Sequence, residues 1–463
     1  MLQVINPATE EVLRELEEDT ADTVRQKVED ARAAQPAWGR RPLAERLEPI
    51  QRFGRLVAEQ QERLAGILTS EMGKPIRQSR NEISALQGRL EFFLEHTAAA
   101  IADEVVLRDV GDESSPAMEE RIRYEPLGVI ANISAWNYPY FVGSNVFIPA
   151  LLTGNAVLYK PSEHATLTGC AIAGLLHEAG IPREVFVPVV GAAAVGAALL
   201  EQEIDGVFFT GSHATGRRIA QAAAGRMIPV QLELGGKDPV YVCDDVEVKD
   251  AAAALADGAF YNAGQSCCAV ERIYVHRRNA EPFVEAFLAA VRRFQVGDPT
   301  DEDSYIGPLA RREQLAVLEE QVEDAVRQGA RLLCGGKRRE GEGYFFEPTV
   351  LTEVDHRMQV MREESFGPII GIQVVRDDAE AIERMNDTHY GLTAGVYTPD
   401  LARAEALLSG VDAGSVYWNC CDRVSPRLPW TGRKCSGIGT TLSVAGIRAF
   451  VQPKAWHLRG SCG

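Results

Sequence analysis

Three short stretches of the sequence set a reactive side chain beside glycine. In Tyr261-Asn262-Ala263-Gly264-Gln265-Ser266-Cys267-Cys268 two thiols close a glycine-containing loop that follows a helical pattern. Such a thiol can approach a substrate closely and act as a nucleophile if its pKa is lowered; the same residues also suit a buried structural thiol. In Val230-Gln231-Leu232-Glu233-Leu234-Gly235-Gly236-Lys237-Asp238-Pro239 a carboxylate stands between leucines at a strand end. Burying it ionised is costly without a partner, so Glu233 is either a general base of raised pKa or a strand-end residue reaching solvent. In Phe208-Phe209-Thr210-Gly211-Ser212-His213-Ala214-Thr215-Gly216 a strand runs into a glycine turn that opens a helix. That geometry offers backbone N–H groups to a phosphate. The spacing is not that of the usual dinucleotide fingerprint and no Gly-Lys-Ser/Thr follows, so an ordinary tight turn reads equally well.

The elements that must hold these stretches alternate. Residues 128–133, 155–160, 184–190, 205–210, 229–234 and 238–244 read as strands, and 167–180, 192–203 and 215–225 as helices. The pattern restarts after Lys249 with a helix to Phe260, a strand at 272–277 and a helix near Pro282–Phe294. Further strands are expected at 330–336, 369–375, 392–398 and 413–419. Such alternation predicts doubly wound parallel sheets, here two α/β domains meeting near residue 235. The first 100 residues read as helical, and residues 110–123 as an exposed polar hairpin or arm. The charge-free stretch Pro126–Tyr159 carries polar residues and prolines, which predicts buried strands and a cleft wall rather than a membrane helix.

A chain of 463 residues with 25% charged side chains can bury several cores without staples. Its net charge of −18 disfavours nucleic acid and anionic membrane surfaces as partners. Nine cysteines form no regular framework, and with an acidic N-terminus unlike a signal peptide they point to a reducing compartment, the cytoplasm.

Eight motifs stand in one order along the chain: Asn-Pro-Ala-Thr-Glu-Glu-Val-Leu near the N-terminus, Ser-Ala-Trp-Asn-Tyr-Pro (134–139), Lys-Pro-Ser-Glu (160–163), Phe-Thr-Gly-Ser (209–212), Leu-Glu-Leu-Gly-Gly-Lys (232–237), Gly-Gln-Ser-Cys (264–267), Glu-Glu-Ser-Phe-Gly-Pro (363–368) and Ser-Gly-Ile-Gly (436–439). In this set and spacing the chain resembles the aldehyde dehydrogenase superfamily over essentially its whole length. The resemblance implies two Rossmann-like α/β domains: a cofactor-binding domain from 1–107 and 127–234, and a catalytic domain from 235–435. It also implies a small β oligomerisation arm and C-terminal segment, 108–126 and 436–463. Cys267 matches the nucleophile, Glu233 the general base and Asn137 the amide that donates to the oxyanion. Trp136, Lys160, Glu163, Gly191, Gly211, Ser212, Gly235, Glu364 and Phe366 match cofactor positions, with Glu163 favouring NAD over NADP. Tyr138, Phe141, Tyr261, Val424 and Trp430 would form the substrate wall. A homodimer or homotetramer acting on a small aldehyde is expected, with no metal.

The chain also departs from the family. Where many hydrolytic members carry a second glutamate after Ser-Gly-Ile-Gly, this one has Thr441, which predicts less help for Glu233 or a water in the gap. Semialdehyde-specific relatives bind a distal carboxylate with an arginine whose position here is Asn145; Arg423 and Arg427 are the available substitutes. Amino-aldehyde relatives use an aromatic box that Tyr138 and Trp430 fit in part. A broad aliphatic or aromatic aldehyde is the default reading, with amino-aldehydes and semialdehydes as alternatives. Glu233 argues against a CoA-acylating member and Cys267 against a non-catalytic one, and no histidine motif supports a thiol esterase.

Overall fold

The structure, a computed structural model, describes residues 1–111 and 117–460. The strand-like runs form two large sheets. One has the order Gly437–Ile438, Val230–Glu233, Gly206–Thr210, Val129–Ile133, Ala156–Lys160, Phe186–Pro188. All are parallel except Gly437–Ile438, which pairs antiparallel with Leu232 and Glu233. The chain enters at the middle strand Val129–Ile133, winds outward to Phe186–Pro188, then returns to Gly206–Thr210 on the other side. This reversal opens a crevice at the carboxyl ends of Val129–Ile133 and Gly206–Thr210, where open α/β sheets receive ligands.

The other sheet has the order Arg331–Cys334, Thr349–Thr352, Ile369–Val375, Val270–His276, Asp238–Val242, Thr393–Tyr397, Ser415–Trp418. Only Arg331–Cys334 runs antiparallel to its neighbour. Gly235, Gly236 and Lys237 join the two sheets between Val230–Glu233 and Asp238–Val242. A third sheet pairs Glu104–Asp109, Met118–Pro126 and Val451–Arg459, all antiparallel. The sequence-expected arm at 110–123 and the C-terminal segment meet here; residues 112–116 of that arm and 461–463 of the C-terminal segment lie outside the described residues.

Two expectations are corrected. The first 100 residues are not all helical, since Leu2–Ile5 and Val12–Leu16 form an antiparallel pair. Their side chains are mostly exposed, so no alternating apolar face betrayed them. The charge-free stretch holds a helix, Pro139–Leu152, between its two strands. This helix starts on a proline and is buried almost all round, and an apolar run without a polar face gives no period to separate helix from strand.

The long helix Ile76–Ala100 buries Ile83, Leu86, Leu90 and Phe93 in the core shared with Pro139–Leu152. No described helix is long and apolar enough to cross a membrane. Among the described residues no cluster of His, Cys, Asp and Glu could hold a metal.

Candidate active site

Cys267 lies half-buried between the short helical turn Tyr261–Gly264 and the strand Val270–His276. The turn is strained: Asn262, Ala263 and Gly264 have φ of 54°, 55° and 71°. Left-handed backbone is unfavourable at Ala263 and better tolerated at Asn262, and a Cβ on Gly264 would lie 2.3 Å from the carbonyl oxygen of Gly367. The neighbouring thiol, Cys268, is buried and donates to Asp422 Oδ1 at 3.0 Å, an atom that also accepts from Ser266 Oγ at 3.1 Å. A hydrogen bond with Cys267 and then burial push the Cys268 thiol well above its usual range. Of the two adjacent thiols, one faces a cavity half-open and the other is held protonated in the wall.

Glu233 ends a strand and is buried. Burial raises its carboxyl to about 7, against hydrogen bonds from Thr441 and Gln231 and the charge of Arg89. Thr441 Oγ1 and, at 3.2 Å, Gln231 Nε2 both donate to Glu233 Oε1. The gap expected opposite Glu233 is therefore closed by Thr441 itself. The sheet pairing of Gly437–Ile438 with Leu232–Glu233 brings the following threonine to the carboxylate.

Asn137 is buried, and its Nδ2 donates to the Gln265 carbonyl at 3.2 Å, tying it to the cysteine loop. Its own carbonyl accepts from Lys74 Nζ at 2.7 Å. Lys74 pairs with Glu82, both fully buried, and Glu82 Oε1 accepts from the Tyr140 N–H at 2.9 Å. This pair pins the turn that carries Asn137 and Tyr138; losing one partner of such a pair costs about 3–5 kcal/mol.

Two cavities meet at this point. One, of about 240 Å³, lies at the crevice between strand ends and is bordered by Trp136, Asn137, Gly211, Ser212, Gly235, Glu364 and Phe366. Glu364 accepts from the Gly236 N–H at 3.2 Å and presses so closely on Gly235 that a Cβ there would lie 2.4 Å from its oxygen. Burial and then the charge of Glu271 raise Glu364 to about 8. Trp136 and Phe366 meet edge to face at 5.5 Å, and Phe366 has a φ of 47°. Ser212 caps the helix His213–Ala224, accepting from the Thr215 N–H. Arg311 and Gln314 also border this cavity and carry no sequence motif.

Lys160, Glu163 and Gly191 stand outside that border. Glu163 does not cap the helix Thr166–Ala179: Glu71 accepts from the Leu167 and Thr168 N–H groups, at 2.6 and 2.8 Å. Burial opposes the charge on Glu163, but its own N–H and the Lys160 ammonium outweigh burial and hold the carboxyl below its usual range.

The other cavity, of about 580 Å³, takes its walls from Tyr138, Phe141, Tyr261, Val424 and Trp430, all five sequence-expected residues. Tyr138 and Phe141 stack with centroids 6.0 Å apart. Arg423 and Arg427 stand exposed at its rim. Glu82, Arg89 and His96 reach it from one face of Ile76–Ala100. Their seven-residue spacing within an apolar helical stripe was the available signal. Cys267, Glu233 and Thr210 border both cavities.

A sequence model of the aldehyde dehydrogenase family matches residues 1–456. The peroxisomal aminoaldehyde dehydrogenase 1 of Malus domestica is 34% identical over 462 residues, 98% of this chain and 91% of that protein. The solved structure of an NAD-dependent aldehyde dehydrogenase from Sinorhizobium meliloti superposes with a TM-score of 0.94 at 33% identity, covering 99% of this chain and 91% of that one. An NADP-dependent enzyme of E. coli superposes equally well, at 0.94 and 33%, covering 99% and 94%.

Proposed function

Because the chain belongs to the aldehyde dehydrogenase family and is an oxidoreductase acting on aldehydes, we propose that Cys267, Glu233 and Asn137 carry out the oxidation at the junction of its two cavities. The observation that supports this most is that Cys267 and Glu233 border both cavities, so one thiol meets an aldehyde from one side and a cofactor from the other.

The Cys267 thiolate adds to the carbonyl carbon, giving a hemithioacetal oxyanion. The Asn137 amide and the Cys267 N–H donate to that oxygen; one such donor is worth about 3–4 kcal/mol. A nicotinamide bound in the smaller cavity supplies the hydride acceptor. Loss of hydride from the carbon leaves a thioester on Cys267. Glu233 takes a proton from water, the resulting hydroxide attacks the thioester, and the acid leaves as the thiolate is restored.

The smaller cavity fits such a cofactor. Ser212 and the start of His213–Ala224 suit a diphosphate, bare Gly235 lets the Glu364 carboxyl seat at the border where it can hydrogen-bond a ribose, and Trp136 with Phe366 suits a ring. An anionic Glu163 at the adenosine ribose favours NAD, because a 2′-phosphate would meet like charge. On this reading the first sheet, with residues 1–107 and 127–234, serves cofactor binding and 235–435 catalysis, in the cytoplasm. The third sheet is an oligomerisation arm: Val106 is 64% and Val110 85% exposed beside Val105, an apolar edge that a second copy would cover. Light scattering at micromolar concentration is expected to give a dimer or tetramer mass; a monomer overturns the arm.

The function is tested by following the reduced nicotinamide with NAD and a small aldehyde, with and without CoA. NADH formation independent of CoA, with free acid as product, is expected. A requirement for CoA overturns the hydrolytic role of Glu233.

A further inference from the structure

The larger cavity contains a buried cation, Arg89, whose charge draws down the Glu233 pKa without an ion pair to it. Arg89 is only 5% exposed, yet it lines this cavity deep in the fold. Nη1 donates to Asn145 Oδ1 at 2.6 Å, and its guanidinium lies over the Phe141 ring at 4.1 Å. Among the described residues no carboxylate stands within ion-pair distance of it. Arg89 itself borders the cavity, so its guanidinium fork can meet a ligand there.

The nearby acids are otherwise engaged. Glu82 is paired with Lys74, and Asp422 accepts from Ser266 and Cys268. Glu233 accepts from Thr441 and Gln231. Glu91 and Glu95 are exposed at the mouth, where solvent screens them and where Arg423 and Arg427 also stand. Burial lowers the Arg89 pKa to about 10 against the charges of Glu233 and then Glu82, which act from beyond ion-pair distance, so the guanidinium remains charged at neutral pH without a direct carboxylate contact. One face is stacked on Phe141 and one arm is fixed by Asn145, which orients the fork.

We propose that Arg89 is the recognition site for a carboxylate at the far end of the substrate, so that the preferred substrate is an aldehyde bearing a carboxylate. This rests on the reading of Cys267 as the nucleophile. A planar carboxylate matches the fixed guanidinium fork in a bidentate contact, and the aromatic walls Tyr138 and Trp430 take the carbon chain between. Asn145 stands where the resemblance placed an arginine in semialdehyde-specific members, and here it positions an arginine from another helix. The same charge repels a protonated amine, which sets this chain apart in expected preference from the aminoaldehyde relative.

The test compares kcat/KM of the intact enzyme, with saturating NAD, on aldehydes of matched length ending in carboxylate, primary amide, methyl, ammonium or phosphate. Wild type is expected to prefer the carboxylate over the amide and methyl by about tenfold or more, with ammonium the poorest. Arg89→Met is expected to lose about 100-fold on the carboxylate, at least about tenfold more than on the methyl aldehyde, with Arg89→Lys partly restoring the difference. No carboxylate preference in wild type, or equal losses on both substrates in Arg89→Met, overturns the proposal. So does a phosphate-terminated aldehyde used in preference to the carboxylate. If Arg89→Met does not fold, inhibition of wild-type turnover of the methyl aldehyde decides. A linear saturated monocarboxylate competing, and its amide not, supports the site; equal or absent inhibition overturns it. Failure of wild type on every aldehyde would instead overturn the reading of Cys267 and Glu233.

Discussion

The hydroxyl of Thr441 donates a hydrogen bond to the carboxylate of Glu233, across the antiparallel contact that joins Gly437–Ile438 to the strand end. A hydroxyl donor stabilises the anion without adding a second titrating group. It therefore draws the Glu233 pKa down against burial, which holds it near 7.

Thr441→Val removes that donor and leaves burial less opposed, so the Glu233 pKa rises. The base is active when ionised, so deacylation weakens as pH falls through the pKa. The acid limb of kcat, near pH 7 in wild type, is expected to move upward by about one pH unit in the variant. A pH–rate profile at saturating aldehyde checks this; an unmoved limb means another group controls deacylation.

The two adjacent thiols should separate cleanly. Cys267→Ala is expected to abolish aldehyde oxidation while NAD binding persists. Cys268→Ala should retain turnover, because that thiol is buried against Asp422. Substantial residual turnover in Cys267→Ala, measured by NADH absorbance, assigns the chemistry to the other sulfur.

Glu233→Gln keeps the shape of the site but cannot take a proton from water. A burst of about one NADH per subunit followed by a steady rate lower by about 100-fold or more is expected from stopped-flow absorbance. If the burst itself slows as much, Glu233 also deprotonates the thiol.

Glu163→Ser is expected to shift kcat/KM toward NADP by about tenfold or more, because it removes a like charge from a 2′-phosphate. Helix stability should change little, since Glu71 holds the N–H groups of Thr166–Ala179. Steady-state kinetics with both cofactors check this; equal use of NADP by wild type removes Glu163 from that choice.

The sequence by itself determined the alternation of strands and helices, the resemblance, and most of the wall residues. Those signals are local: apolar runs of strand length, glycines at turns, and short motifs read without knowing what packs on them. Tyr138, Phe141, Tyr261, Val424 and Trp430 come from distant stretches, and their convergence on one cavity followed the motif order. Tertiary structure decided what stands beside each motif. The Lys74–Glu82 pair, the threonine on Glu233, the caps by Glu71 and the Arg89–Asn145 contact join residues 8 to more than 200 positions apart. A charged residue in an apolar helical stripe reads the same whether it is neutralised or left facing a cavity. Among the described residues, only the tertiary arrangement sets Lys74 on Glu82 while Arg89 meets Asn145 and Phe141 of Pro139–Leu152 and no carboxylate within ion-pair distance. The surface strand pair Leu2–Ile5 and Val12–Leu16 was invisible for a related reason: strands held by backbone pairing with few buried side chains leave no pattern in residue type.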